Sequence, residues 1–313
     1  MRVGSMFAGI GGICLAFKQA GAEIVWANEY DRYACQTYRH NFGSSFLVEG
    51  DIRKVNLDKI PNFDILTAGF PCQPFSVMGS QQGFADPRGT MYYEILRVID
   101  TVKPEIVFLE NVKNLVEHDN GRTFITIYNT LAERGYVVKY SVQGAHTHAN
   151  IPQYRDRIFI AAFLDHEKLD RFSFPDEVPL TKTINDIVDR RVVVDDEHYY
   201  RPPNRYYNNL NARMTNNNAI YRIDDSGVAK RAWEICPTLK ANMGTYPDRV
   251  PLVRDAHGIR KLTLRDCLAL QGFPKEYDFS DIPRKEAYKQ LGNTVCVPVV
   301  MRIARRLTVL FEV

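Results

Sequence analysis

Among the 313 residues, Cys72 stands out for its neighbours, because it lies in Gly69-Phe70-Pro71-Cys72-Gln73-Pro74-Phe75-Ser76. The two prolines fix φ on either side and make the turn stiff. A thiol is only a few per cent ionised at neutral pH, yet it is intrinsically a very good nucleophile. Held in a defined turn at the end of an apolar segment (residues 63–68), it is suited to covalent catalysis. Glu110-Asn111-Val112 ends a second apolar segment (residues 105–109). A carboxyl there that faces Cys72 can supply or share a proton. A structural cysteine has no need of such a frame.

A second group of residues suits a nucleotide-like ligand. Phe7-Ala8-Gly9-Ile10-Gly11-Gly12 follows an apolar run and opens a helical pattern. Glycines at that place let the backbone approach a ligand beside a helix amino end. The spacing Gly9, Gly11, Gly12 is not the G-x-G-x-x-G of dinucleotide sites, which argues against a nicotinamide oxidoreductase. Glu29 ends the next apolar run and suits paired ribose hydroxyls. Asp51 ends the third and can accept a hydrogen bond from an amino group such as that of adenine. Each acid alone reads as a helix N-cap or a solvated loop charge. Two on consecutive segments beside a glycine loop favour a ligand.

The elements needed to position these residues are legible in the same stretch. Strands are expected at residues 3–7, 24–27, 46–48, 63–68 and 105–109. Helices are expected at 13–20, 31–41 and 91–102. Strands separated by helices indicate an α/β fold with a doubly wound, mostly parallel sheet. In such sheets ligands bind beyond the carboxyl ends of the strands. Glu29, Asp51, Cys72 and Glu110 all fall at such ends.

From about residue 172 to 258 the periodicity fades. Tyr199-Tyr200-Arg201-Pro202-Pro203-Asn204-Arg205-Tyr206-Tyr207 is aromatic and basic, and Asn208-Asn209 and Asn216-Asn217-Asn218 add amides. This reads as a second, smaller domain. Helical pattern returns at 263–271, with Thr263 as N-cap, and at 297–311. The expected division is a first domain at 1–170 that carries the candidate catalytic and ligand-binding residues, a smaller second domain at 171–258, and a segment at 259–313 that returns to the first domain.

Composition sets limits. The net charge is only +3, so basic residues must be concentrated locally if the partner is a nucleic acid. No apolar run approaches the ~20 residues of a membrane helix, and the amino end lacks a signal-peptide core. A cytoplasmic location is the expectation. The six cysteines include no CxxC pair, so neither zinc nor a redox motif is supported; apart from Cys72 they read as small buried hydrophobes. His146 and His148, alternating as on a strand, have no evident third ligand, and no metal is expected. His118 and Asp119 read as surface residues rather than a relay.

With these residues in view, the chain resembles the DNA cytosine-5 methyltransferases, in particular the compact bacterial enzymes of restriction-modification systems. The resemblance rests on the glycine loop, Pro71-Cys72, Glu110-Asn111-Val112, Gln153-Tyr154-Arg155-Asp156-Arg157, the run from Arg260-Lys261-Leu262-Thr263 to Gln271-Gly272-Phe273-Pro274, and Gln290-Leu291-Gly292-Asn293-Thr294-Val295. These blocks spread over most of the chain, and only about 172–236 lacks a clear counterpart. The resemblance implies a methyltransferase fold with S-adenosylmethionine as cofactor. It implies that Phe7, Gly9, Gly11, Gly12, Glu29, Tyr30, Asp51, Ile52, Pro71, Met91 and Asn293 form the cofactor pocket. Cys72 is implied as the nucleophile toward carbon 6 of a flipped cytosine. Glu110 is implied at ring nitrogen 3 and the amino group, and Arg157, with Arg155, at the ring carbonyl oxygen.

For DNA, the stretch after Cys72 reads as a mobile loop closing on the duplex, with Ser76, Met78, Ser80, Gln81 and Arg88 as contacts. Met78 stands where some bacterial relatives carry a small polar residue, and it suits an apolar wedge in the gap left by the flipped base. Pro237-Thr238-Leu239 resembles the Thr-Leu pair near the family's recognition loops. Arg201, Arg205, Arg213, Thr238, Lys240, Asn242 and Arg249 are the candidate contacts there. The expected partners are double-stranded DNA and a cognate restriction endonuclease acting on the same site, with the enzyme itself a monomer. Two alternatives share the same core: a methyltransferase acting on a tRNA cytosine, and a non-catalytic DNA-binding paralogue. The paralogue is disfavoured because Cys72 and Glu110 both stand.

Overall fold

The computed structural model describes residues 1–70, 90–224, 227–229, 231–245 and 248–312. Strands β1 (Arg2–Met6), β2 (Glu23–Glu29), β3 (Leu47–Glu49), β4 (Ile65–Gly69) and β5 (Ile106–Val112) succeed one another. Helices α1 (Gly12–Gln19), α2 (Arg32–Phe42) and α3 (Thr90–Val102) lie between them in sequence. Then follow α4 (Arg122–Ala132), β6 (Val137–Gly144), the one-turn α5 (Ala145–His148), β7 (Asp156–Phe163) and α6 (His166–Arg171). The remainder holds short strands β8 (Tyr199–Tyr200), β9 (Ile223–Asp224), β10 (Gly227–Val228), β11 (Leu252–Asp255) and β12 (Gly258–Lys261). Its helices are α7 (Tyr207–Arg213), α8 (Leu264–Gln271), α9 (Arg284–Asn293) and α10 (Val297–Thr308).

The main sheet has the order β3-β2-β1-β4-β5-β7-β6. Strand β1 pairs in parallel with both β2 and β4, β2 with β3, and β4 with β5. Strand β7 enters antiparallel beside β5. This is the doubly wound, mostly parallel sheet expected. The chain winds outward from β1 in one direction, then from β4 in the other. The carboxyl ends of β1 and β4 therefore flank the topological switch point, where α/β sheets bind ligands. Central strands are buried along their apolar runs, as in Ile106 to Leu109 and Ile160 to Phe163, which is the pattern of a sheet covered on both faces. Helix α1 is docked by Phe17 edge-on to Phe108 of β5 (5.6 Å), and Phe108 stacks on Phe159 of β7 (5.8 Å).

Strand β4 starts two residues later than the apolar run suggests. Phe63 leaves the strand to stack near Trp26, with centroids 6.2 Å apart. A Cβ on Gly4 would lie 2.3 Å from the Phe63 ring, so the ring occupies space that only a glycine on β1 leaves free.

Two compact units divide the chain. The first is Met1–Gln143, Asp156–Asp176 and Val299–Val313; the second is Gly144–Arg155 and Glu177–Pro298. The boundary differs from the one that composition suggests, since residues 259–298 group with the second unit and 299–313 with the first. Local pairing explains this: β12 runs antiparallel to β11 and to β8, and Arg260 of β12 is buried between Asp255 and Asp266 at 2.8 Å from each. Thr263 caps α8 as expected, in a reciprocal box with Asp266. His146 and His148 lie in α5 rather than on a strand, and His148 is buried. His118 is bonded through Nδ1 to Thr123 Oγ1 at 2.7 Å. Among the described residues no helix is long and apolar enough to cross a membrane.

Candidate active site and cofactor cleft

In the first unit the glycine loop and Glu29 meet directly. The chain leaves β1 with Phe7, Gly9 and Gly11 all in the left-handed region (φ 53°, 56° and 81°). Glycine adopts this without penalty, whereas for Phe7 it is strained backbone of the kind found at ligand sites. A Cβ on Gly11 would collide with Phe42 at 2.3 Å, while a Cβ on Gly9 would meet nothing within 4 Å. Gly9 thus borders open space. Helix α1 starts at Gly12 with no side-chain cap and no acid in its first turn. Its amino end therefore favours an outside acceptor.

Glu29, buried at the end of β2, accepts from the backbone N–H of Gly9 (2.7 Å), Tyr30 (2.8 Å) and Asp31 (2.7 Å). Burial pushes its pKa above the usual carboxylate range, and those three donors pull against the rise. Asp51 caps a 3-10 turn and is bonded to Arg53, Nε to Oδ1 at 2.9 Å, which with the Arg53 backbone donor holds its pKa down. Ile52 is buried in the core of this unit, and Met91 packs partly against that core. Tyr30 is 75 % exposed, presenting a ring that the protein itself does not cover. The residues fit S-adenosylmethionine: open space beside Gly9, a fixed carboxylate at the next strand end, and exposed aromatic surface.

Glu110 and Arg157 form the second constellation. Gly69 of β4 is in register with Glu110 of β5, and a Cβ at Gly69 would lie 3.2 Å from Glu110 Oε2. Across the antiparallel β5–β7 pair, Val112 faces Arg157 and Glu110 faces Phe159. Glu110 and Arg157 are thus diagonal on one face, and Arg157 Nε lies 3.1 Å from Glu110 Oε1 with both side chains mostly buried. Asn111, a residue with no expected role, is buried and donates through Nδ2 to Phe70 O at 2.9 Å. It ties the end of β5 to the end of β4. Nothing in the local sequence marks that bond. Pro71, Cys72, Ser76, Met78, Ser80, Gln81 and Arg88 lie outside the described residues. The other five cysteines are buried. Burial raises the thiols of Cys14, Cys236 and Cys267, and burial with the carboxylates of Glu29 and Glu49 raises Cys35 to about 12.

In the second unit, the sequence blocks are knit by buried polar side chains. Gln153 Nε2 donates to Leu270 O (2.8 Å), and its Oε1 accepts from Leu239 N (3.2 Å). Gln271 Nε2 donates to Leu291 O at 2.8 Å. Arg155, only 2 % exposed, donates to the carbonyls of Leu239 (2.9 Å), Gly292 (3.1 Å) and Thr294. Thr238 Oγ1 donates to Tyr154 O. A Cβ at Gly292 would lie 2.2 Å from the Lys240 carbonyl, so α9 can pass there only with glycine. Arg155 therefore differs from the paired role read for it with Arg157: its guanidinium is occupied by main-chain carbonyls inside this unit. Replacing it, Arg155→Met, is expected to strand three carbonyls and to cost about 3 kcal/mol or more in stability. Arg157→Met should cost less stability and more methyl transfer. Equal urea midpoints for wild type and the Arg155 variant would end the structural assignment.

The remaining recognition candidates are spread over this unit. Arg201 is exposed and paired with Asp196 at 2.8 Å, and Arg205 stacks over Tyr206 at 4.5 Å. Arg213, Lys240 and Asn242 are exposed, and Arg249 is half-buried. Asn293, expected in the cofactor pocket, is exposed at the end of α9 in this unit.

The sheet order, with a glycine loop and an acid at the first two strand ends, defines an α/β enzyme of the methyltransferase fold. Residues 1–308 match the family described as C-5 cytosine-specific DNA methylase. The chain is 45% identical over 310 residues to the Type II methyltransferase M.Bsp6I of Bacillus sp. (strain RFL6), covering 98% of each. It is 36% identical over 317 residues to the Type II methyltransferase M.HhaI of Haemophilus parahaemolyticus, covering 97% of this chain and 93% of that one. Its fold is similar to that of the S. pombe Dnmt2 methyltransferase, with a TM-score of 0.76, 22% identity and complete coverage of both chains. The chain belongs to the C-5 cytosine-specific DNA methylase family and is a DNA cytosine-5 methyltransferase that uses S-adenosylmethionine. These findings fit that reading and not the RNA-directed or non-catalytic alternatives.

Proposed function

We propose that the chain methylates one cytosine within a specific duplex sequence, through a covalent adduct between Cys72 and the ring. The observation that carries this reading is the Glu110–Arg157 pair, 3.1 Å apart on one face of the sheet and in register with the end of β4, three residues before Cys72. Carbon 5 of cytosine is a poor nucleophile. Addition of the Cys72 thiolate at carbon 6 forms a C–S bond, breaks the 5,6 double bond and places electron density on carbon 5. Glu110 holds ring nitrogen 3 and the amino group, sharing a proton there, and Arg157 holds the carbonyl oxygen. Charge that develops on the ring is thereby stabilised by groups already in place. S-Adenosylmethionine supplies the electrophilic methyl. Loss of the carbon-5 proton to a base and departure of the Cys72 sulfur restore the double bond.

Glu29 is assigned to the ribose hydroxyls, Asp51 and Ile52 to the adenine, and Phe7, Gly9, Gly11, Gly12, Tyr30, Pro71, Met91 and Asn293 to the rest of the cofactor surface. The target base lies inside a duplex and must be turned out, at a cost of a few kcal/mol. Ser76, Met78, Ser80, Gln81 and Arg88 are assigned to the duplex around that gap. Cofactor binding and chemistry are centred on the first unit and target recognition on the second. Relatives called Type II methyltransferases support a role as the modifying partner of a restriction endonuclease that reads the same site. The enzyme is taken to act as a monomer in the cytoplasm.

Bisulfite sequencing of host DNA after expression tests the whole reading. One short sequence context should resist conversion at one cytosine nearly completely, while all other contexts convert. Full conversion everywhere, with the protein present and folded, would refute a DNA-modifying role.

A further inference from the structure

The second unit carries a cationic cluster that none of the sequence motifs marks. Arg222 and Arg231 both place their guanidinium over the Trp233 ring, with Cζ 5.6 and 5.5 Å from the ring centroid. The backbone fixes Arg222 and Trp233. Ile220 and Trp233 exchange two hydrogen bonds in an antiparallel bridge (2.8 and 2.9 Å), and Ala229 N donates to Arg222 O at 3.0 Å. Strands β9 and β10 lie between these points.

Most arginines of this unit have a clear structural partner. Arg201 is paired with Asp196, Arg191 with Asp189 and Arg260 with Asp255 and Asp266. Arg190 and Arg254 donate to main-chain carbonyls. Arg231 is exposed, and among the described residues it has no ion pair and no hydrogen bond. A guanidinium resting on an indole has less side-chain freedom to lose when it binds, and its fork matches two phosphate oxygens. The substrate of this enzyme is a polyanion.

We propose that Arg231, positioned by Trp233, grips a backbone phosphate of the substrate duplex. This rests on the DNA-methylating function but not on any recognition sequence. A phosphate contact fixes register and orientation and carries no sequence information. It also acts in non-specific binding, so the test needs no knowledge of the site.

The experiment measures binding of full-length protein to a mixed-sequence duplex at a series of salt concentrations. For Arg231→Gln, the slope of log affinity against log salt should fall by about one relative to wild type. Arg231→Lys should restore the slope, because it keeps the charge. Trp233→Leu should weaken binding several-fold with most of the slope retained, and Trp233→Phe should weaken it less. Circular dichroism and cofactor binding identify any variant that has lost its fold, and the Lys and Phe variants then carry the test. An unchanged slope in folded Arg231→Gln overturns the proposal. So does an unchanged slope accompanied by methylation at altered sequence contexts, which would make Arg231 a base-reading residue. If the wild type itself binds no duplex, it is the function that fails and not this assignment.

Discussion

A Glu110→Gln chain is expected to transfer methyl groups about 10²- to 10³-fold more slowly than wild type, with its affinity for duplex DNA little changed. The substitution keeps size and shape. Gln still offers a carbonyl oxygen to Arg157 Nε, now 3.1 Å from the Glu110 carboxylate, so the fold around β5 and β7 should survive. What is lost is the group that can carry a proton to ring nitrogen 3. Without it, thiolate addition leaves charge on the ring that only a neutral amide and Arg157 can meet. The effect should therefore fall on kcat rather than on KM, because the interaction matters most once the ring has been attacked. Single-turnover methyl transfer with pre-bound DNA makes the measurement. A rate within a few-fold of wild type would remove Glu110 from the chemistry and leave the ion pair a purely structural device.

Both members of this pair are expected from the family resemblance, but their direct contact does not follow from local sequence. Glu110 is visible because it ends an apolar run, and Cys72 because two prolines frame it. Both signals are local. Arg157 opens the segment Asp156 to Phe163, whose apolar residues are continuous and carry no alternation that would reveal a strand direction. Its partnership with Glu110 exists only because β7 is inserted antiparallel beside β5. The same holds more strongly for Gln153, Arg155 and Gln271. Arg155 bonds to carbonyls 84 to 139 residues away, and no spacing rule reaches so far. The parallel core was legible for the opposite reason. Glycine turns, buried runs and acids at strand ends repeat every few tens of residues, and each constrains its own neighbourhood. Asp51 shows the limit of that local logic, since a strand-end acid is equally good as the cap it forms for the turn beginning at Ile52.

Cys72→Ala should show no detectable turnover while still binding duplex DNA. Carbon 5 gains its reactivity only while a nucleophile occupies carbon 6, so removing the sulfur removes the reaction rather than slowing one step of it. No other thiol is placed to substitute: the remaining five cysteines are buried. Burial also pushes Cys14, Cys35, Cys236 and Cys267 away from the reactive thiolate. The wild type offers the converse measurement. In a duplex carrying 5-fluorocytosine at the methylated position, the adduct can form and carbon 5 can accept the methyl. The step that follows needs the other substituent on carbon 5 to leave as a proton, which fluorine cannot do. The C–S bond then persists, and a protein–DNA band should survive denaturing electrophoresis, with the modified peptide containing Cys72. Turnover by the alanine variant would show that addition at carbon 6 does not depend on this thiol. Failure of the wild type to trap a duplex that it otherwise methylates would show that no covalent intermediate forms, and the role given to the proline-framed cysteine would have to be abandoned.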